Sequence, residues 1–233
     1  MNWNKEWEEN IYSEGKALNK YPYDILVSIV ARKYFSVEKR KEVKFLDLGC
    51  GAGNNSKFLA KEGFSVWGID GSETAIKVAK RRMKTKELEG KTNFMVGDFT
   101  ELPFDNNKFD CIIDRQSVSA NNKKEIKNII SKEVYRVLKE GGSFISFISS
   151  NSHPQKEYGE KIKENTYNNF EKGSFEGVGE VHFCDLKEIF NFYSPFKIEN
   201  IINHKLKEIY SQDDSFLDMA EYIIIASKEE KNF

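Results

Sequence analysis

The feature that most constrains this chain is a repeated switch of hydrophobic period between residues 43 and 149. Short apolar runs that read as buried strands alternate with longer stretches whose apolar residues recur every three or four positions. The runs are "VKFLDLG" (43–49), "SVWGID" (65–70), "TNFMVGD" (92–98), "FDCIID" (109–114) and "SFISFIS" (143–149). Between them, "NNSKFLAKEG" (54–63) predicts a short helix with Asn54 or Asn55 as N-cap and Gly63 just past its end. "SETAIKVAKRRMK" (72–84) predicts a helix capped by Ser72. "KKEIKNIISKEVYRVLKEGG" (123–142) predicts the longest one, striped by Ile126, Ile130, Val134 and Val137 and stopped by Gly141 and Gly142. Strands alternating with helices imply βαβ units and a parallel sheet covered on both faces.

The end of the chain changes character. A helix pattern at 186–194 is followed by two strand patterns, 196–209 and 221–228, with no helix between them, so these two should pair antiparallel. The expected whole is one α/β domain, 1–233, with a seven-stranded, mostly parallel sheet, helices on both faces and a C-terminal antiparallel hairpin. Residues 43–149 form its core and 184–228 its last helix and strand pair. Residues 1–42 read as a helical segment rich in aromatics (Trp3, Trp7, Tyr12, Tyr21, Tyr23). Residues 150–183 form a polar insertion that leaves the carboxyl end of the fifth strand. Ligands of open α/β sheets bind beyond those ends, so the insertion can cover a site there.

The first strand runs into "FLDLGCGAGNNSKFLA" (45–60), where Gly49, Gly51 and Gly53 separate strand from helix. Bare backbone at such a turn lets a ligand approach closely. Asp70 ends the next strand nineteen residues after Gly51, the spacing of an acid that accepts hydrogen bonds from ribose hydroxyls. Dinucleotide binders place a third glycine where this chain has Asn54, and Asp47 adds negative charge beside the turn. A carboxylate there disfavours a pyrophosphate and favours a cationic nucleoside. S-adenosyl-L-methionine, with a sulfonium, an ammonium and no phosphate, meets that description.

"LDLGCGAG" (46–53) resembles the first motif of the class I S-adenosylmethionine-dependent methyltransferases, which are Rossmann-like. The resemblance continues through "GIDGSETAIKVAK" (68–80), "VGDFTELPF" (96–104), "FDCIIDRQSV" (109–118) and "EVYRVLKEGGSF" (133–144). It implies that Gly49, Gly51 and Gly53 line the methionine part of the cofactor, with Asp47 nearby. It implies that Asp70 holds the ribose, Gly71 and Ser72 flank the adenine, Asp98 accepts from its amino group and the Phe99 backbone lies beside the ring. Asp114, Arg115 and Gln116 follow the fourth strand, where such sites open toward methionine and acceptor. The product cofactor is S-adenosyl-L-homocysteine.

Methyl transfer from a sulfonium is mostly a positioning task. A general base is needed only for a protonated nucleophile, and Asp114, His153 and His182 are the candidates. Tyr12 and Tyr21 are candidates for a lid over cofactor and acceptor. "DRQS" departs from the Asn/Asp-Pro-Pro-Tyr/Phe pattern of enzymes that methylate nucleobase amines. With 36 basic against 37 acidic residues, no global attraction to nucleic acid or an anionic membrane is expected. No apolar run reaches the length of a membrane span. Scattered Cys50, Cys111 and Cys184 suggest reduced thiols in the cytoplasm, with no metal-ligand spacing. A small-molecule acceptor is the expected substrate, methylated on O, N or C. The alternatives are an RNA or protein methyltransferase, or a regulatory protein that binds the cofactor without turnover. The oligomeric state stays open.

Overall fold

A computed structural model describes residues 5–210 and 218–230; Trp3 lies outside them. Within the described residues a π-helical turn, Trp7–Tyr12, and helix α1, Asp24–Tyr34, precede the sheet. Then come β1 (Lys44–Leu48), α2 (Asn54–Lys61), β2 (Ser65–Asp70), α3 (Glu73–Arg82), β3 (Thr92–Val96) and β4 (Phe109–Arg115). Helix α4 (Lys123–Asn128) runs through a π-helical stretch, Ile129–Val134, into the short α5 (Tyr135–Val137) and β5 (Leu138–Ser149). The insertion holds β6 (Glu160–Lys163), β7 (Thr166–Asn168) and β8 (Val181–His182), and α6 (Leu186–Phe192), β9 (Lys197–Leu206) and β10 (Met219–Ser227) follow.

Among the described residues seven strands make one sheet in the order β3-β2-β1-β4-β5-β10-β9. The first five in that order are mutually parallel, and β10 runs antiparallel to both β5 and β9. Alternation along each strand sends neighbours to opposite faces. Leu46, Ile112, Phe144 and Ile148 pack under α4 and α6, while Phe45, Ile113, Ile145 and Phe147 pack under α1 and α2. The order turns from β1 to β4 next to the glycine turn, which places a crevice at the carboxyl ends of those strands.

Three expectations change. Helix α2 is capped by Gly53, in the left-handed conformation at φ +77°, and not by an asparagine. Asn54 and Asn55 reach back instead: Asn54 Nδ2 donates to the Tyr21 carbonyl at 2.9 Å, and Asn55 Oδ1 accepts from the Tyr23 N–H at 3.3 Å. The helix from Lys123 stops at Val137, ahead of the two glycines. Leu138 is buried and pairs with Phe109 in the sheet, and Lys228 Nζ donates to the carbonyls of Tyr135 and Leu138 at 2.9 Å. A buried lysine thus closes the helix end. The insertion is more than a polar loop: β6, β7 and β8 form a small antiparallel sheet. Its Phe175, Val181 and Phe183 share an apolar cluster with Ile11, so the N-terminal segment and the insertion pack as one cover.

Candidate functional site

The crevice is a cavity of about 700 Å³. One end is the glycine turn. Gly49 and Gly51 lie on its wall at φ +66° and +50°, where a side chain is disfavoured. The turn is tied to the next strand through the Cys50 N–H, which donates to the Ile69 carbonyl at 3.0 Å. Asp70 also lies on the wall. Its Oδ2 accepts from the Gly51 N–H at 2.8 Å and its Oδ1 from the Ser72 N–H at 2.9 Å. Each carboxylate oxygen can accept twice, so Asp70 fixes the turn and retains a lone pair on each oxygen toward the cavity. Gly71 and Phe99 complete this end.

The cover lies over the turn and lines the rest of the cavity. Tyr12 is buried with its hydroxyl against Gly51, and Trp7, Ile11, Phe175 and Val178 continue the apolar wall. Arg115 and Gln116 enter from β4, and His153 from the start of the insertion. Gln116 adopts φ +62°, uncommon for a side-chain-bearing residue, and its Nε2 donates to Glu221 Oε2 at 2.8 Å. Arg115 Nη1 lies 3.1 Å from the same oxygen, and its guanidinium carbon stacks 4.1 Å from the Tyr23 ring centroid. Glu221 Oε1 meets His204 Nδ1 at 3.0 Å. Glu221 stands alone as an acid in "EYIIIAS", and a charge buried in an apolar strand needs a partner; that signal was missed, and the structure supplies the partner as Arg115. Tyr23, Ser117 and Phe175 were missed as well, because contacts between distant segments bring them to the wall.

Other expected site residues sit elsewhere. Asp47 is 1% exposed and off the wall; it accepts from the Ser56 hydroxyl and so braces α2 from behind the turn. Burial pushes its carboxyl up to about 7, against the hydrogen bonds from Ser56. Gly53 packs against Ala79, and Ser72 caps α3 and donates to Glu8. Asp98 is half-buried and accepts from the Thr100 N–H at 2.9 Å, with the neighbouring Phe99 on the wall in its place. Asp114 is corrected as a base: it is fully buried, and it accepts from the Ser146 hydroxyl, from both the hydroxyl and N–H of Ser117, and from the Val118 N–H. Fully buried, held by these four bonds and off the cavity wall, it is a strut under the Gln116 turn. His182 is corrected too. It lies off the wall, between the Thr166 hydroxyl at Nδ1 (2.7 Å) and Glu188 at Nε2 (3.3 Å). Cys184 joins that buried pair, the three ligand-type atoms lying within 4.8 Å of one another, a grouping that spacing alone did not reveal. Tyr21 is 77% exposed and faces away; Tyr23 takes the place expected of it.

The methyltransferase-domain family model matches residues 39–216. The chain belongs to this methyltransferase family. A putative methyltransferase of a Geobacillus species is 31% identical over 146 residues, 62% of this chain and 58% of the relative. The demethylmenaquinone methyltransferase of Leptospira interrogans is 36% identical over 104 residues, 43% of this chain and 41% of the relative. The chain therefore spans less than two thirds of the curated relatives it matches. Among solved structures, a SAM-dependent methyltransferase of Methanosarcina mazei aligns with 91% of this chain and 100% of its own, at TM-score 0.70 and 24% identity. The magnesium protoporphyrin IX methyltransferase of Synechocystis, solved with bound SAM, aligns with 97% of this chain and 95% of its own, at TM-score 0.66 and 15% identity. These structures share the class I methyltransferase fold. No helix among the described residues of this family member is long and apolar enough to cross a membrane.

Proposed function

We propose that the chain, acting as a single domain, is an S-adenosylmethionine-dependent methyltransferase that moves a methyl group to a small-molecule metabolite. The observation that carries this reading is the continuity of one cavity from the glycine turn, Asp70 and Gly71 to an apolar end under the aromatic cover. The turn end suits a phosphate-free nucleoside. Its acid has acceptor capacity to spare for two hydroxyls; of the basic side chains near it, Arg82 is spent on the carbonyls of Leu18, Asn19 and Ala52, and Lys16 on the cavity wall pairs with Glu14 at 2.7 Å. Gly49, Gly51, Asp70, Gly71 and Phe99 would hold the cofactor, which supplies a methyl group on an electrophilic sulfonium.

The chain's own residues then have two tasks. Tyr12, Trp7 and Phe175 exclude water, and Arg115, Gln116 and His153 orient the acceptor. The names of two sets of relatives, sterol and demethylmenaquinone methyltransferases, support an apolar small molecule over a nucleic acid. Calorimetry with S-adenosylmethionine, S-adenosylhomocysteine and a nicotinamide dinucleotide tests the first half. Transfer of a labelled methyl group into a metabolite extract, with nuclease- and protease-treated controls, tests the second. A preference for the dinucleotide sinks the reading. Tight cofactor binding with no transfer to any extract favours the regulatory alternative, and loss of signal after nuclease or protease treatment favours a macromolecular acceptor.

A further inference from the structure

The methyltransferase reading leaves the chemistry of the acceptor undefined, and His153 constrains it. His153 caps the short 3-10 helix Pro154–Tyr158: its Nδ1 accepts from the Gln155 N–H at 3.2 Å. A nitrogen that accepts carries no proton, so the neutral ring holds its proton on Nε2. The ring is 2% exposed, packs edge-on against Phe175 with centroids 5.0 Å apart and lies 5.6 Å from the Phe183 centroid. Nε2 has no partner among the described residues, and the residue lines the cavity. His153 is therefore a fixed N–H donor at the acceptor end, and as a resting base it has no free lone pair.

Charge near it points the same way. Arg115, from the neighbouring β4, and Lys156, on the same turn, add positive charge. Burial and those two cations hold the imidazole well down, to about 4, so it stays neutral at physiological pH. Of the acids nearby, Glu221 is engaged by Arg115, Gln116 and His204, and the wall residue Glu176 is exposed at the insertion. Arg115 Nε is buried without a partner among the described residues. Ile11, Val178, Val181, Leu206 and Met219 give the wall its apolar part, beside the polar Ser119, Asn121, Ser149 and Ser174.

Resting on the methyltransferase reading, we propose that the acceptor binds as an oxygen anion, the conjugate base of a phenol- or enol-type hydroxyl on an apolar skeleton. His153 Nε2–H donates to that oxygen, and Arg115, whose Nε is left over from its ion pair with Glu221, offers a second N–H. The hydroxyl proton is left in bulk water as the anion binds. The acceptor oxygen then forms the new O–C bond while the C–S electron pair passes to sulfur, so no side chain has to take up a proton.

Binding of p-nitrophenol, whose anion absorbs in the visible, tests this without turnover. Titrated across pH with the protein saturated by S-adenosylhomocysteine, the probe should bind about tenfold more tightly as phenolate than as phenol, a drop of about one in its apparent pKa. His153→Phe keeps the ring packing and removes the donor; it should cut that preference by about threefold or more, and His153→Gln, which retains an N–H, should restore part of it. Equal affinity for the two forms, no binding of the probe, or an unchanged preference in His153→Phe would each overturn the proposal. Calorimetry with S-adenosylhomocysteine alone separates the failures. If that ligand binds and the phenolate preference is absent, only the acceptor assignment falls; if it does not bind, the methyltransferase reading falls and takes this proposal with it.

Discussion

The Tyr12 hydroxyl lies 2.5 Å from the point that a Cβ on residue 51 would occupy, so the cover rests directly on the glycine turn. Gly51 also holds φ +50°. Gly51→Ala therefore meets two costs, ~1–2 kcal/mol for a side chain in the left-handed region and ~1–3 kcal/mol for overpacking. Urea denaturation should show their sum. Adding Tyr12→Phe removes the hydroxyl and should recover only the packing part. A loss that Tyr12→Phe does not relieve would mean that Tyr12 does not seat on the turn in solution, and no loss at all would remove the left-handed conformation of Gly51 as well.

Asp70 carries a second dual role, since its carboxylate both holds the turn and faces the cavity. Asp70→Ala should weaken S-adenosylhomocysteine binding by ~1.5–3 kcal/mol for lost hydrogen bonds to a charged group. The Gly51 and Ser72 N–H groups lose their acceptor in the same variant, which should lower stability by ~1–3 kcal/mol. Calorimetry reads the first effect and denaturation the second. Unchanged affinity in a folded variant would remove Asp70 from the ribose position.

How much of this was legible follows from where the information lies. The sheet was readable because each strand writes its two faces locally: Phe45 and Leu46 are adjacent in sequence and belong to opposite cores. Ser72 was readable as a cap because its partner, the Ala75 N–H, is three residues away. The end of the helix at Val137 was not, because Lys228, ninety residues on from Leu138, closes it. At the site, residue type and spacing brought out Gly49, Gly51 and Asp70, and the family resemblance brought out Arg115; all four lie on the wall. These signals could not show that Asp114, at the same kind of strand end, is sealed by Ser117 and Ser146, because solvent access is set by packing. The cover escaped for a related reason. Ile11 and Phe183 meet across the fold, and no local pattern joins them.

Glu8 anchors that cover. Its carboxylate accepts from the Ser72 hydroxyl and from the Thr74 hydroxyl at 2.6 Å, at the N-terminal end of α3. Glu8 is held below the usual carboxylate range by those bonds despite the opposing effect of burial. Glu8→Ala should leave the sheet intact and loosen residues 7–12. Hydrogen exchange should accelerate in that segment alone, and S-adenosylhomocysteine should dissociate several-fold faster, on the scale of ~1 kcal/mol for a helix-terminus anion. Unchanged exchange at 7–12 would show that the apolar contacts of Ile11, not Glu8, hold the cover in place.

Asp47 should make folding stability fall as pH rises through neutrality. Unfolded, its carboxyl loses a proton at the ordinary 3.8; folded, burial holds the proton until about 7. Between those values the folded chain binds the extra proton, so raising the pH withdraws stability, by at most about 4 kcal/mol in total. Asp70 and Asp114, also raised by burial, add to the same slope. His153 opposes it at lower pH. Its folded value of about 4 lies beneath the ordinary 6.5, so its contribution is lost as pH falls through that window. His182, held down by burial, acts in the same sense. Above about pH 6.5 the histidine contributions level off and the carboxylates dominate. Asp47→Asn removes the charge and keeps the shape. After the loss of one hydrogen bond from Ser56, it should be more stable than the parent above neutrality by ~1–3 kcal/mol, with a flatter profile. Denaturation midpoints across this range decide the matter: if the Asp47→Asn variant falls off with pH as steeply as the parent, the buried proton is not on Asp47.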